Sequence, residues 1–148
     1  MVYYFAYGSN MDENRINNRV GFYKIIGTGV LKNYTLVFNK ISKDNPSKGY
    51  ANIIPKDNCL VEGIIYEINS DGIKKLDKKE GFPSHYERKK MKILHDSEYI
   101  ICEVYIANKN MVNNNLKPTR DYLAHILEGK NYFSKEYLDK LKTTVTLD

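Results

Sequence analysis

The apolar and polar positions near the N-terminus predict a strand, a tight turn and a short helix. Residues 2–6 form a β-branched and aromatic run, a composition typical of strands. Gly8 interrupts this run, and the segment Ser9-Asn10-Met11-Asp12 offers several N-cap residues for a helix that reaches about Val20. The first unit predicted is therefore strand, glycine-containing turn, helix.

The middle of the chain alternates between strand-like segments and polar stretches. Strands are predicted at residues 27–39, 51–54, 60–68, 86–94 and 99–107. Pro55 is expected to end the second of these, and Asp57-Asn58 is expected to form a turn. The polar residues at 40–50 and 108–117 predict loops.

Apolar residues at helical spacing predict three further helices. One runs from a Ser70 N-cap to Gly81, one from a Thr119 N-cap to Gly129, and a short one follows Ser134. These elements fit one α+β domain over residues 1–148. We expect a small, mostly antiparallel sheet, curled toward a barrel, with short helices packed outside it.

Composition and charge indicate which class of protein this is and which partners to expect. The 148 residues are 42% hydrophobic and 28% charged, as in soluble globular proteins. The net charge of +5 comes from 23 basic residues, of which 19 are lysine, and the lysines are dispersed. Nucleic-acid-binding proteins usually cluster arginine with aromatic residues, so we expect no nucleic-acid partner. Dispersed lysines favour a solvated surface or attraction of small anionic substrates.

Further features concern the compartment and cofactors. No apolar run approaches the ~18 residues that span a bilayer, and the first residues lack a basic secretory segment. We therefore expect a cytoplasmic protein with no membrane partner. Cys59 and Cys102 lie in or beside apolar runs, where free cysteine acts as a core residue. The histidines are scattered and no cysteine pair has metal-ligand spacing, so we expect no metal and no cofactor.

The segment Tyr7-Gly8-Ser9-Asn10 is the first candidate for chemistry. A strand that ends in Gly-Ser-Asn and enters a helix exposes several backbone N–H groups near the positive end of the helix dipole. Such a junction can bind an anion. The alternative is that Gly8 only permits the turn and that Ser9 or Asn10 only caps the helix, and the residues alone leave both interpretations open.

Glu80 is the second candidate. It precedes Gly81 at the predicted C-terminus of a helix, where the negative end of the helix dipole disfavours a carboxylate. That placement raises its proton affinity and suits a general base near neutral pH. A surface glutamate paired with a neighbouring lysine is the alternative interpretation.

Other kinds of catalytic site find no support in the chain. Ser9 lacks the Gly-x-Ser-x-Gly elbow, neither cysteine has the surroundings of a thiol nucleophile, and no phosphate loop or dinucleotide fingerprint occurs. The remaining possibility is general acid–base catalysis by a carboxylate beside an anion-binding loop. Three of the 13 tyrosines, Tyr86, Tyr105 and Tyr122, lie near the ends of predicted elements, where a hydroxyl can reach a cleft.

The order of several motifs resembles the γ-glutamylcyclotransferase-like (AIG2-like) family. They are Tyr7-Gly8-Ser9-Asn10-Met11, Ala51-Asn52-Ile53, the strand Val61 to Ile68, Leu76-Asp77-x-x-Glu80-Gly81, Tyr86, Val104-Tyr105-Ile106, Pro118-x-x-x-Tyr122 and Ser134-x-Glu136-Tyr137-Leu138. The resemblance covers nearly the whole chain. It implies a small barrel-like α+β fold and an enzyme that releases 5-oxoproline from a γ-glutamyl amine or dipeptide.

The same resemblance implies roles for individual residues. Tyr7, Gly8, Ser9 and Asn10 would hold the γ-glutamyl group, and Glu80 would be the catalytic acid and base. Tyr86, Tyr105 and Tyr122 would line the cleft. The partner would be a small γ-glutamyl compound, and no metal or cofactor would take part.

Several alternatives stay open at this point. The leaving group could be a simple amine, an amino acid, a lysine side chain or a γ-glutamyl-protected intermediate. A non-catalytic binding module of the same fold is a second class, although Glu80 favours an enzyme. A nucleic-acid partner for the lysine-rich surface is a third. A homodimer is compatible with the family, and no interface is recognisable in the chain.

Overall fold

Five strands and four α-helices make up the computed structural model, which describes residues 1–148. The strands are β1 (Val2–Ala6), β2 (Tyr23–Ile41), β3 (Gly49–Ile68), β4 (Tyr86–His95) and β5 (Glu98–Ala107). The helices are α1 (Glu13–Val20), α2 (Ser70–Glu80), α3 (Arg120–Leu127) and α4 (Lys135–Lys142). Short 3₁₀ turns occur at Ser9–Met11, Lys109–Met111 and Lys130–Tyr132.

The strands form a closed barrel in the order β1-β3-β2-β4-β5. Four of the five neighbouring pairs are antiparallel. The fifth pair, β1 with β5, is parallel and closes the barrel where Tyr4 lies opposite Glu103. The predicted α+β fold with a mostly antiparallel, barrel-like sheet is confirmed.

The hairpin of β2 and β3 is longer than the sequence predicts. The two strands predicted at 51–54 and 60–68 are one strand that continues through Pro55, and the predicted turn at Asp57-Asn58 lies within it. Strand β1 borders β3 only along Ile64–Ile68, so Pro55 lies where β3 has a strand neighbour on one side only. Proline is tolerated at such an edge because its missing N–H breaks no ladder there.

Helix boundaries follow the local capping chemistry. The Asn69 side chain, not that of Ser70, caps α2 by accepting a hydrogen bond from Gly72 N at 2.7 Å. Gly81 ends α2 in the left-handed region with φ 71°, as predicted from its type. Thr119 and Ser134 cap α3 and α4 as predicted, but α3 ends at Leu127, two residues before Gly129.

One continuous core of 26 buried hydrophobic residues fills the barrel and extends under the helices. Phe5, Ile65, Tyr66 and Ile93 are fully buried members of it. Cys102 is buried and Cys59 partly buried, and both are free thiols. The interior is therefore filled with side chains, and any cleft lies at an end of the barrel.

No α-helix of the chain combines the length and the hydropathy that crossing a membrane requires.

Gly63 lies where β3 packs closely against the end of β1. A Cβ atom there would lie 2.3 Å from the Ala6 carbonyl oxygen and 2.9 Å from Phe5 Cε1. We expect Gly63→Ala to lower the free energy of unfolding by about 1–3 kcal/mol, because a backbone contact cannot yield without moving β1.

Urea unfolding followed by circular dichroism measures this loss. Gly72→Ala is the matched control, since the nearest atom to its Cβ is the Asn69 side-chain oxygen at 3.3 Å. Equal stability of the two variants would contradict the assignment of a tight β1–β3 contact.

Candidate active site

A cavity of about 250 Å³ opens at one end of the barrel. All eight residues singled out in the sequence line it, namely Tyr7, Gly8, Ser9, Asn10, Glu80, Tyr86, Tyr105 and Tyr122. They come from the loop after β1, the end of α2, the start of β4, the end of β5 and the start of α3. Residues that are 115 positions apart in the chain thus share one cleft.

Gly8 lets the loop pack tightly against the start of β3. A Cβ atom at Gly8 would lie 3.2 Å from the Ala51 Cβ and 3.6 Å from the Tyr122 hydroxyl oxygen. The Tyr7 hydroxyl donates a hydrogen bond of 2.6 Å to the Tyr105 carbonyl, which fixes the loop to β5. The backbone N–H groups of Tyr7 and Gly8 have no acceptor within the protein. The loop therefore has two unused backbone donors in residues that line the cavity.

The positive end of α1 lies at Asp12, the last of the N-cap residues that the sequence offered, and not at Gly8. A 3₁₀ turn at Ser9–Met11 comes between Gly8 and this helix, which begins at Glu13. The carboxylate of Asp12 caps α1 by accepting from Asn14 N at 3.1 Å and also lies 2.8 Å from His125 Nδ1. An acidic side chain therefore occupies the helix terminus, and the anion-binding capacity of the loop rests on its own backbone.

Asn10 connects the loop to Glu80. Its side-chain amide donates to the Tyr4 hydroxyl at 2.9 Å and to Glu80 Oε1 at 3.3 Å. Its Oδ1 accepts from Arg19 Nη1 at 2.9 Å. Both amide N–H groups are thus used inside the protein, so the Asn10 side chain orients Glu80 and has no donor left for a ligand.

Glu80 is the last residue of α2, with 18% of its side chain exposed, and Arg19 Nη1 lies 3.9 Å from its Oε1. Burial raises the pKa of this carboxyl above its usual range, while Arg19 and Lys40 act in the opposite direction. The sequence predicted the direction of this shift but attributed it to the helix terminus, whereas burial is its largest cause.

The three tyrosines differ in what their hydroxyl groups can still do. Tyr86 donates to the Ala51 carbonyl at 2.8 Å, and Tyr105 donates to Asp77 Oδ1 at 2.8 Å. The Tyr122 hydroxyl instead accepts from Ala51 N at 3.0 Å and donates to no carbonyl or carboxylate of the protein, with the Ser9 side chain also near it. Burial raises the pKa of Tyr122 to about 12, so it stays a neutral donor. Among the three, Tyr122 is the one with a donor available for a ligand.

Sequence reasoning missed several residues of the cavity. They are Tyr4, Arg15, Arg19, Lys40, Lys43, Asp44, Tyr50, Ala51 and Lys79. Lys40 was assigned to a polar loop but lies in β2 with 1% of its surface exposed. The available signal was its position two residues after the apolar run Leu36 to Phe38, where a strand continues more readily than it stops.

No three His, Cys, Asp or Glu side chains are arranged to hold a metal ion. The chemistry that the cavity itself can perform is proton transfer by Glu80, next to donors that suit an anionic or carbonyl oxygen.

Comparison with known proteins identifies the family. The family model described as "Gamma-glutamyl cyclotransferase, AIG2-like" matches residues 4–124. The chain belongs to this γ-glutamyl cyclotransferase family. Family membership supports a γ-glutamyl cyclotransferase-type function.

Individual relatives agree with this assignment. The chain is 30% identical to the Bacillus subtilis protein named "Putative gamma-glutamylcyclotransferase YkqA", over 95% of this chain and 51% of that protein. It therefore spans about half the length of this curated relative.

Two solved structures are similar over 99% of this chain and 89% of theirs. One, described as "Gamma-glutamyl cyclotransferase", is 25% identical with a TM-score of 0.88. The other, a human protein described as "uncharacterized protein loc79017", is 26% identical with a TM-score of 0.90.

The raised pKa of Glu80 has a consequence for stability. The folded protein holds this proton more tightly than the unfolded chain, so ionised Glu80 destabilises the fold at neutral pH. Below the usual pKa of 4.5 the carboxyl is protonated in both states and the penalty vanishes. We expect Glu80→Gln to raise the Tm at pH 7, and the gain to shrink toward zero as the pH falls to about 4.

Calorimetry across this pH range measures the effect. Glu128→Gln is the matched control, because Glu128 also lies at a helix C-terminus but is exposed. A pH-independent gain, or an equal gain in both variants, would show that burial of Glu80 is not the cause.

Proposed function

We propose that this protein releases 5-oxoproline from a small γ-glutamyl compound by intramolecular aminolysis. The observation that carries the proposal is the contact between Asn10 and the partly buried Glu80, in one cavity with Tyr7 and Gly8, whose N–H groups are unused. A carboxylate with a raised pKa beside anion-binding donors suits proton transfer during attack on a carbonyl.

The substrate supplies both reacting groups. Its α-amine is the nucleophile and its γ-carbonyl carbon is the electrophile, so the protein needs no nucleophile of its own. Glu80 accepts a proton from the α-ammonium, and the freed amine forms a C–N bond to the γ-carbon. The bond from that carbon to the leaving nitrogen then breaks as Glu80 returns the proton to it. The attacking nitrogen gives up its second proton, through Glu80 or water, to the released amine, which leaves as an ammonium. The products are 5-oxoproline and a free amine.

The loop after β1 holds and folds the substrate in this proposal. The N–H groups of Tyr7 and Gly8 face either the substrate carboxylate or the oxyanion that develops on the γ-carbonyl. The hydroxyl proton of Tyr122 adds a third donor beside Gly8. Holding the amine against the carbonyl removes much of the entropic cost of ring closure. Ser9 is not a nucleophile here.

In this proposal Glu80 acts by accepting and returning a proton, so a side chain of the same size that cannot do so tests its role. We expect Glu80→Gln to lower kcat for 5-oxoproline release by on the order of 10²–10⁴, because glutamine cannot accept the proton. The release is measured by chromatography over a panel of γ-glutamyl amines and dipeptides.

Glu128→Gln serves as the control and should retain wild-type rates, because Glu128 lies outside the cavity. Full activity of Glu80→Gln would overturn the role of Glu80. If the wild type releases 5-oxoproline from no member of the panel, the proposed enzyme function fails.

Arg19 tunes the same carboxyl group. Its positive charge lowers the pKa of Glu80 against the effect of burial, so removing it should raise that pKa further. We expect Arg19→Met to move the acidic limb of the kcat/KM profile to higher pH, since more of Glu80 is then protonated and unable to act as base.

The pH–rate profile measures this shift, with Lys75→Met as an exposed control on α2 that lies outside the cavity. A limb that stays in place or moves to lower pH in Arg19→Met would show that the profile does not report Glu80.

A further inference from the structure

Lys40 is a buried cation without an anionic partner. Its side chain lines the cavity near the end of β2, and 1% of the residue is exposed. None of the ion pairs in the structure includes it. A buried ammonium is costly unless a carboxylate or another anion compensates it. The protein supplies no such group in direct contact.

The hydrogen bonds of Lys40 leave one donor unused. Its Nζ donates to the Ile41 carbonyl at 2.6 Å and lies 3.0 Å from His85 Nδ1. Burial, with Lys40 and Lys43 nearby, lowers the pKa of His85, so at neutral pH its Nδ1 accepts a hydrogen bond. An ammonium carries three donors, so a third N–H remains for a ligand in the cavity.

The surroundings hold Lys40 in place without neutralising it. Its Nζ lies 5.5 Å from the ring centre of Tyr86 and 5.9 Å from that of Tyr50. These aromatic faces attract a cation but provide no counter-charge. Burial and the neighbouring Lys43 lower the pKa of Lys40 to about 8, and the charge of Glu80, which is not in direct contact with it, offsets this shift only in part.

The cavity carries more positive charge than a γ-glutamyl group alone requires. Its lining has five cationic side chains, Arg15, Arg19, Lys40, Lys43 and Lys79, against the carboxylates of Asp44 and Glu80. A γ-glutamyl group brings one carboxylate and one ammonium.

The cations also approach Glu80 from two directions. Arg19 contacts it on the side of Asn10, whereas Lys40 and Lys43 lie beside His85 and Gly81, at the turn that follows α2. A substrate that spans Glu80 therefore meets positive charge at both of its ends.

We infer that Lys40, with Lys43 beside it, binds a carboxylate on the leaving group. The amine released is then an amino acid or a peptide whose carboxylate lies close to the departing nitrogen, and simple alkylamines are poor leaving partners. This inference rests on the proposed function and adds the class of leaving group and the residue that selects it.

A matched pair of substrates tests the inference. γ-Glutamyl-alanine and γ-glutamyl-ethylamide differ only in the carboxylate of the leaving group. We expect the wild type to have a kcat/KM on the order of 10- to 100-fold higher for γ-glutamyl-alanine, as for a hydrogen bond between charged groups. Lys40→Met should abolish this preference, so that the two compounds react with similar kcat/KM at every pH, because the carboxylate of the leaving group loses its partner. The ratio of the two kcat/KM values is the readout, since any change in the pKa of Glu80 affects both compounds alike.

Lys75→Met is the control lysine, exposed and outside the cavity, and it should keep the preference. Two outcomes would overturn the inference. One is equal kcat/KM of the wild type for both compounds, a comparison that needs no folded variant. The other is an undiminished preference for γ-glutamyl-alanine in Lys40→Met, which would show that Lys40 does not bind the carboxylate of the leaving group.

Measurements of binding without turnover distinguish failure of this inference from failure of the proposed function. Calorimetric titration of Glu80→Gln with each compound measures the preference without turnover, and adding Lys40→Met to that variant should remove it. Absence of 5-oxoproline release with a retained binding preference would reject the reaction and keep the carboxylate site. Release of 5-oxoproline without a preference would keep the reaction and reject the site.

Discussion

Closure of the barrel by the parallel contact between β1 and β5 is the constraint on which the site depends. A ring of five strands cannot alternate direction all the way round, so one neighbouring pair has to be parallel. With β1 and β5 in that pair, the ends of β1, β2 and β5 and the starts of β3 and β4 meet at the same end of the barrel. Each strand delivers a cavity residue there: Tyr7 just after β1, then Lys40, Tyr50, Tyr86 and Tyr105.

Electrostatics in this cavity are set by burial, and the charges around it adjust the result. Glu80 loses water at the end of α2, which favours its protonated form, and Arg19 recovers part of the ionised form. Lys40 shows the same effect with opposite sign, since burial favours its neutral form. A base and a cation whose pKa values are both shifted toward neutral pH thus face one cleft, a combination typical of functional sites.

Local chemistry made most of the elements predictable. Capping by Thr119 and Ser134, the Gly81 terminus of α2 and the apolar alternation of the strands are all decided within a few residues. The continuity of β3 through Pro55 was not predictable, because it depends on where β1 ends, at Ala6, far away in the chain. The burial of Lys40 was missed for the same reason, since Tyr50, Tyr86 and His85 surround it from other elements.

The hydrogen bond between Tyr7 and Tyr105 joins residues 98 positions apart. During synthesis β1 leaves the ribosome first, yet its parallel neighbour is the last strand to be made. Contacts between residues so distant in the chain form slowly, because the entropy cost of closing a long loop precedes the free energy that the contacts gain. The cleft consequently cannot form from any short segment of the chain. A nascent chain that ends before residue 105 lacks one wall of the cleft. Assembly of the site and completion of the barrel are one event.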